Sequence, residues 1–206
     1  MKHDIVVIGA SAGGVEAVGK LLRDFPADLP ASVFVVLHLS PSMDSHLPQI
    51  WSRASSLPVL EATNRDPIKR GHVYVAPPDH HLVCDDGRVA LSRGPTENQH
   101  RPSVDTLFRS AAHNFGSRVV GIVLTGTLDD GTAGLLQIKR HGGLALVQSP
   151  DDAQFPNMPL SAIRSVDIDY ILPLAEIGRA AASICRDEPV ARSGKIIDSS
   201  SGEAQS

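Results

Sequence analysis

The chain has 206 residues, 42% of them apolar, and a formal net charge of −4. That suits one domain with a sizeable core and argues against a broad basic footprint for nucleic acid. No stretch approaches the roughly eighteen consecutive apolar residues of a membrane helix, and the first residues lack the apolar core and cleavage site of a signal peptide, so a cytoplasmic protein without membrane insertion is expected. Cys84 and Cys185 lie far apart, outside any CxxC spacing, and read as reduced thiols rather than as a zinc site or a disulfide.

Ile5–Ile8 is the first strand-length apolar run. It enters Gly9-Ala10-Ser11-Ala12-Gly13-Gly14 and then a segment from Gly13 to Asp24 with helical spacing of Val15, Val18, Leu21 and Leu22. Val33–Leu37 is the next strand. His72–Ala76 is a strand ended by Pro77-Pro78, and His81–Cys84 and Arg88–Leu91 flank Asp85-Asp86-Gly87 as a hairpin. Glu97–Arg101 is a polar loop leading to Ser103, an N-cap residue for a helix through Phe115. Val119–Leu124 and Leu144–Gln148 are strands with a helix, Thr132–His141, between them. Asp169–Leu172 is the last strand and Pro173–Cys185 the last helix.

Apolar strands alternating with amphipathic helices predict a doubly wound α/β domain, a mostly parallel sheet with helices on both faces, carrying a β-hairpin insertion. The domain is expected over residues 1–186. The remainder, 187–206, is polar and rich in Ser and Gly and reads as a disordered tail.

A strand, a glycine turn and a helix start serve two chemistries. Phosphate binding wants G-x-G-x-x-G, but Ser11 stands at the middle glycine, and the end of the second strand, Val35-Val36-Leu37-His38, supplies no acid for a ribose. The nucleophile turn G-x-S-x-G is met by Gly9-Ala10-Ser11-Ala12-Gly13; its small neighbours let the turn pack against adjoining strands at strained backbone angles. The competing reading of Ser11 is a cap on the following helix.

His38 ends the second strand, at the carboxyl edge where open α/β sheets place their sites. It is the candidate base among nine histidines. His80 and His81 beside Asp79 raise the question of a metal, but adjacent strand residues face opposite ways, and no metal is expected. Asp129-Asp130-Gly131, after another buried strand, offers the acid. One carboxylate would orient His38 and stabilise its imidazolium; alternatively the pair serves the helix from Thr132 through its dipole. The order Ser, His, Asp differs from that of an α/β-hydrolase.

The strings "VIGASAGG", "VVLHLSP", "YVAPPDHHL", "HRPSVDTLF", "LTGTLDDGTAG" and "FPNMP", in this order, resemble the catalytic domain of the CheB protein-glutamate methylesterases over about Asp4 to Cys185. The resemblance implies a Ser–His–Asp triad that hydrolyses glutamate methyl esters on the cytoplasmic helices of chemoreceptors, or on another methylated protein, and releases methanol. It also implies deamidation of receptor glutamines and no cofactor.

Carried over by motif, Ser11 is the nucleophile, His38 the base and Asp130 the acid, with Asp129 a neighbour. The Ala12 and Thr127 N–H groups are the oxyanion donors, and Arg101 and Met158 are candidate substrate contacts. Where many members read Thr-Gly-Met-Gly-x-Asp-Gly, this chain has Thr127 and Leu128 in place of Met and Gly. No receiver sequence stands before Ile5, so control is expected from a separate receiver or kinase protein in a phosphorelay, or from access to the substrate. The rival from another class is a non-catalytic scaffold of a chemosensory system.

Overall fold

The computed structural model describes residues 3–38 and 45–190. Leu39-Ser40-Pro41 of one motif and most of the expected tail, 191–206, lie outside the described residues. Asp187 and Glu188 donate backbone hydrogen bonds to Ile184 and Ser183, and Val190 packs against the core.

In chain order the elements are β1 (Ile5–Ala10), α1 (Gly14–Arg23), β2 (Ser32–Leu37), α2 (Leu47–Ser52), β3 (Val59–Glu61), β4 (Val73–Val75), β5 (His81–Asp85) and β6 (Arg88–Ser92). They continue with α3 (Val104–Phe115), β7 (Val119–Val123), α4 (Thr132–Arg140), β8 (Leu144–Gln148), α5 (Asn157–Ser165), β9 (Tyr170–Leu172) and α6 (Leu174–Cys185). Seven strands form one sheet in the order β3-β4-β2-β1-β7-β8-β9. Every neighbouring pair is parallel.

The sheet is covered on both faces, which is why its central strands are apolar throughout rather than alternating. Along β1, Val6 and Ile8 face a core shared with α1, α2 and α6, while Ile5 and Val7 face a second core shared with α3, α4 and α5. The hairpin β5–β6 stands apart from the sheet. It turns at Asp86-Gly87, both with positive φ, and is stitched to α3 by Cys84 N–H donating to Ser110 Oγ and Asn114 Nδ2 donating to the Cys84 carbonyl.

Three short elements have no counterpart in the sequence reading. The edge strand β3 has three residues, two of them exposed, too few to show a period. Helix α2 has six residues. Helix α5 opens on Pro156 at its N-cap and carries Pro159 in its first turn, where a missing N–H costs no helical bond, so two prolines mark a start rather than a break. Among the described residues no helix is long and apolar enough to cross a membrane.

Topology sets the place of chemistry. The chain leaves β1 toward β2 on one side and later returns to put β7 on the other. The crevice outside the carboxyl ends of β2, β1 and β7 is the switch point of the sheet. Ser11, His38 and the loop from Leu124 to Gly131 follow these three strands directly.

Candidate active site

Gly9 pairs with Val36 and Ala10 with Leu37, so the next residues, Ser11 and His38, emerge side by side. The Ser11 N–H donates to the Thr125 carbonyl, and Gly14 N–H closes a turn on the Ser11 carbonyl. The left-handed residue of this turn is Gly13, at φ +75°, and not Ser11, which differs from the strained serine expected of a nucleophile turn. Gly13 is also the N-cap of α1 and no side chain caps that helix, so Ser11 does not serve as its cap.

Ser11 Oγ lies 3.1 Å from His38 Nδ1, and His38 Nε2 lies 2.7 Å from Asp130 Oδ2. Asp130 is 1% exposed. Its Oδ1 accepts from Asn98 Nδ2, Ser103 Oγ and Asp105 N–H, and its Oδ2 accepts from His38 and from Val104 N–H. Burial is the largest single influence on this carboxyl and pushes it up. The hydrogen bonds from His38, Asn98 and the Asp105 and Val104 N–H groups together outweigh burial and hold it at about 2. An ionised carboxylate only accepts, so Nε2 carries the imidazole proton and Nδ1 presents its lone pair to Ser11.

Asp130 therefore caps α3, the helix that begins beside it in space, rather than the helix that follows it in sequence. Ser103 sits at the N-cap of α3, yet its hydroxyl turns to Asp130 and makes no cap bond of its own. The start of α4 is served by Asp105, whose Oδ1 accepts from Gly131 and Gly134 N–H. Each helix thus carries the carboxylate that neutralises the other's first turn. Asn98 bridges the two, donating 2.8 Å to Asp105 and 2.9 Å to Asp130. Burial, followed by the nearby charge of Asp130, raises the Asp105 carboxyl above its ordinary range against the pull of Gly134 N–H and Asn98. Asp129 is exposed.

The polar loop before α3 supplies two groups that the sequence did not single out. Asn98 and Gln99 both have positive φ, and the backbones of Glu97 and His100 hydrogen-bond across them, as in a tight hairpin turn. This turn sends the Asn98 amide inward and lays the His100 ring on His38, centroids 3.5 Å apart and planes 12° from parallel. Burial, and then the charge of His38, lower the His100 pKa, so the ring stacked on the candidate base resists becoming a second cation.

The remaining candidates fall as follows. Arg101 donates to Asp79 Oδ1 through Nε and Nη2 and to the Gly94 carbonyl through Nη1, so its guanidinium fastens the loop rather than reaching outward. Met158 is fully buried and packs under Gly126, so it shapes the loop from below and offers no surface to a ligand. Ala12 is half-buried and Thr127 exposed, and their N–H groups have no protein acceptor among the described residues. Thr125 and Gly126 are knitted to the segment before α5, Gly126 N–H donating to the Phe155 carbonyl and Met158 N–H to the Gly126 carbonyl. Leu128 has φ +62°, which costs a residue with a Cβ about 1–2 kcal/mol.

His81 is buried between the Pro95 carbonyl and the Ser103 N–H, and His80 accepts from Arg93 Nε. Among the described residues no three His, Cys, Asp or Glu side chains form a cluster able to hold a metal.

Two stability predictions follow from this packing. Asp130→Asn lowers Tm at neutral pH, by about 1–3 kcal/mol of unfolding free energy, because backbone donors at α3 lose a charged acceptor. The Asp130 carboxyl is lower in the folded chain than its ordinary value of about 3.9. Its contribution is therefore full above about pH 4 and is lost as pH falls toward about 2, so thermal melts of the variant show a smaller drop over that window. Asp129→Asn leaves the wild-type melt. Gly126→Ala lowers Tm by several degrees in the same assay, since a Cβ there would stand 2.1 Å from Met158 Sδ and 2.9 Å from Ser11 Cβ.

Comparison with known proteins places this geometry in a family. The family model described as CheB methylesterase matches residues 6–181. A provisionally named protein-glutamate methylesterase/protein-glutamine glutaminase of Leptospira interrogans is 38% identical over 178 residues, covering 86% of this chain and 92% of its own. Protein-glutamate methylesterase/protein-glutamine glutaminase 2 of Anaeromyxobacter dehalogenans is 39% identical over 183 residues, 89% of this chain but 54% of that longer protein. The crystal structure of the Thermotoga maritima CheB methylesterase catalytic domain superposes with a TM-score of 0.84 at 32% identity, covering 89% of this chain and 100% of that one. The chain belongs to the CheB methylesterase family.

Proposed function

We propose that this protein hydrolyses glutamate 5-O-methyl esters on the cytoplasmic helices of chemoreceptors and releases methanol. In this reading Ser11 is the nucleophile, His38 the general base and Asp130 the group that orients the imidazole. The observation that carries it is the unbroken relay from Ser11 Oγ through His38 to a buried, ionised Asp130, at the switch point of the sheet. The substrate comes from the family and from the names its relatives bear. A cytoplasmic location follows from that substrate.

Each step draws on groups already described. The Ser11 hydroxyl proton passes to His38 Nδ1 as Oγ bonds to the ester carbonyl carbon. The developing imidazolium lies between the Asp130 carboxylate, which stabilises it, and the neutral His100 ring. The oxyanion is met by the Ala12 and Thr127 N–H groups, which have no acceptor among the described residues; losing one such donor typically costs about 3–4 kcal/mol of transition-state stabilisation. His38 then returns its proton to the departing methoxide, and methanol leaves the glutamyl-serine ester. A water gives a proton to His38 and bonds to the acyl carbon; His38 then hands that proton to the departing Ser11 Oγ, so the glutamate acid, which ionises, and the free serine hydroxyl are released.

With a glutamine side chain the same sequence expels ammonia, so receptor glutamine deamidation is a second activity of the same site. In this reading its partners are methylated receptor helices. A non-catalytic scaffold is not favoured, because packing alone gives no reason to hold a serine hydroxyl against the free nitrogen of an oriented imidazole.

Ser11→Ala abolishes methanol release from methylated receptor membranes and labelling by a fluorophosphonate probe, with Tm unchanged because Ser11 is a small, part-exposed turn residue. Retained turnover would contradict the serine mechanism. Asp130→Asn lowers turnover by at least a hundredfold at a temperature where the variant is folded, and Asp129→Asn by less than threefold. Equal losses would overturn the assignment of the acid.

A further inference from the structure

A groove of about 340 Å³ lies between Leu128, on the loop from β7 to α4, and α5. It is lined by Leu128, Asn157, Leu160, Ser161, Arg164 and Ser165. This lining has two apolar side chains, one cation and no carboxylate. Arg164 is exposed and makes no ion pair with any described residue.

Leu128 is the unexpected member. It is left-handed at φ +62°, a conformation glycine adopts freely and a branched residue resists, and it is 54% exposed. Little burial within the chain offsets that backbone cost. An outlier held on the loop that carries Thr127 and Asp130 asks for a use of the side chain outside the fold.

One wall of the groove, Leu128, belongs to the loop that carries Thr127 and Asp130. Gly126, two residues before Leu128, lies against Ser11 Cβ on one side and Met158 of α5 on the other. Arg164 is six residues beyond Met158, about 9 Å along the axis of α5. A helix presenting an ester to Ser11 would place side chains one to two turns away at about 5–11 Å along its axis.

We propose that this groove docks the substrate helix. Leu128 and Leu160 hold an apolar side chain of that helix, and Arg164 pairs with one of its free glutamates. The inference rests on the proposed esterase function and adds the surface by which a methylated helix is chosen over a small ester.

The test compares methanol release from methylated receptor in membrane vesicles with hydrolysis of p-nitrophenyl acetate, for wild type, Leu128→Gly, Leu128→Ala and Arg164→Gln. Both Leu128 variants lower the ratio of receptor to small-ester kcat/KM at least fivefold, through a higher receptor KM. Leu128→Gly also raises Tm, because only glycine relieves the backbone. Arg164→Gln raises receptor KM and flattens its dependence on salt. Wild-type receptor KM in these variants would overturn the groove assignment alone. Wild type that labels with fluorophosphonate yet releases no methanol would overturn the proposed substrate, and the groove assignment with it.

Discussion

One buried carboxylate, Asp130, joins the architecture to the candidate site. Asp130 has two oxygens and five donors: a ring nitrogen, an amide, a hydroxyl and two backbone N–H groups. Four of these bind the start of α3 and the loop before it to the loop between β7 and α4. The fifth is His38. Removing the charge would therefore loosen the fold and free the imidazole together. The arrangement resists protonation because so many donors favour the ionised form over the cost of burial.

The pairing with Asp105 gives this carboxylate its surroundings. Two helices start side by side, and each would leave backbone N–H groups without partners in a dry interior. Each lends the other a carboxylate instead. Two negative charges then lie close together, and Asn98, able to donate to both, spans them. The same turn that delivers Asn98 stacks His100 on His38. Arg101 anchors its far end to Asp79. The candidate base thus sits in a slot whose walls belong to three separate loops.

Much of this was legible in the residues. Continuous apolar runs marked the parallel strands, because a strand buried on both faces has no polar side. The strand-end positions of Ser11, His38 and Asp130 put all three at one edge, and pairing of β1 with β2 and β7 made them neighbours. The alternative in which Asp130 serves the helix after it was not legible as false in the sequence, because the donors it meets, at the start of α3, are close only in space. Asn98 and His100 were hidden in a polar loop, and only the paired left-handed residues of that turn aim them inward. Their one trace was the short Glu97–Arg101 stretch before a good N-cap. Of the two candidate substrate contacts, Met158 is buried and Arg101 pairs with Asp79, environments that the motif alone does not reveal. Leu128 gave a signal of the opposite kind, a residue where glycine would be easier.

Which nitrogen of His38 faces Ser11 decides whether the ring can take the serine proton. A carboxylate at Nε2 requires the proton there and leaves Nδ1 to accept from the serine. Nitrogen-15 NMR of the histidine-labelled protein, with His38 assigned by substitution, reads this directly in the neutral ring. The account predicts a protonated Nε2 and an unprotonated Nδ1. It also predicts that the Nε2 proton loses its downfield shift in Asp130→Ala. A His38 ring protonated at Nδ1, or one indifferent to Asp130, would contradict it.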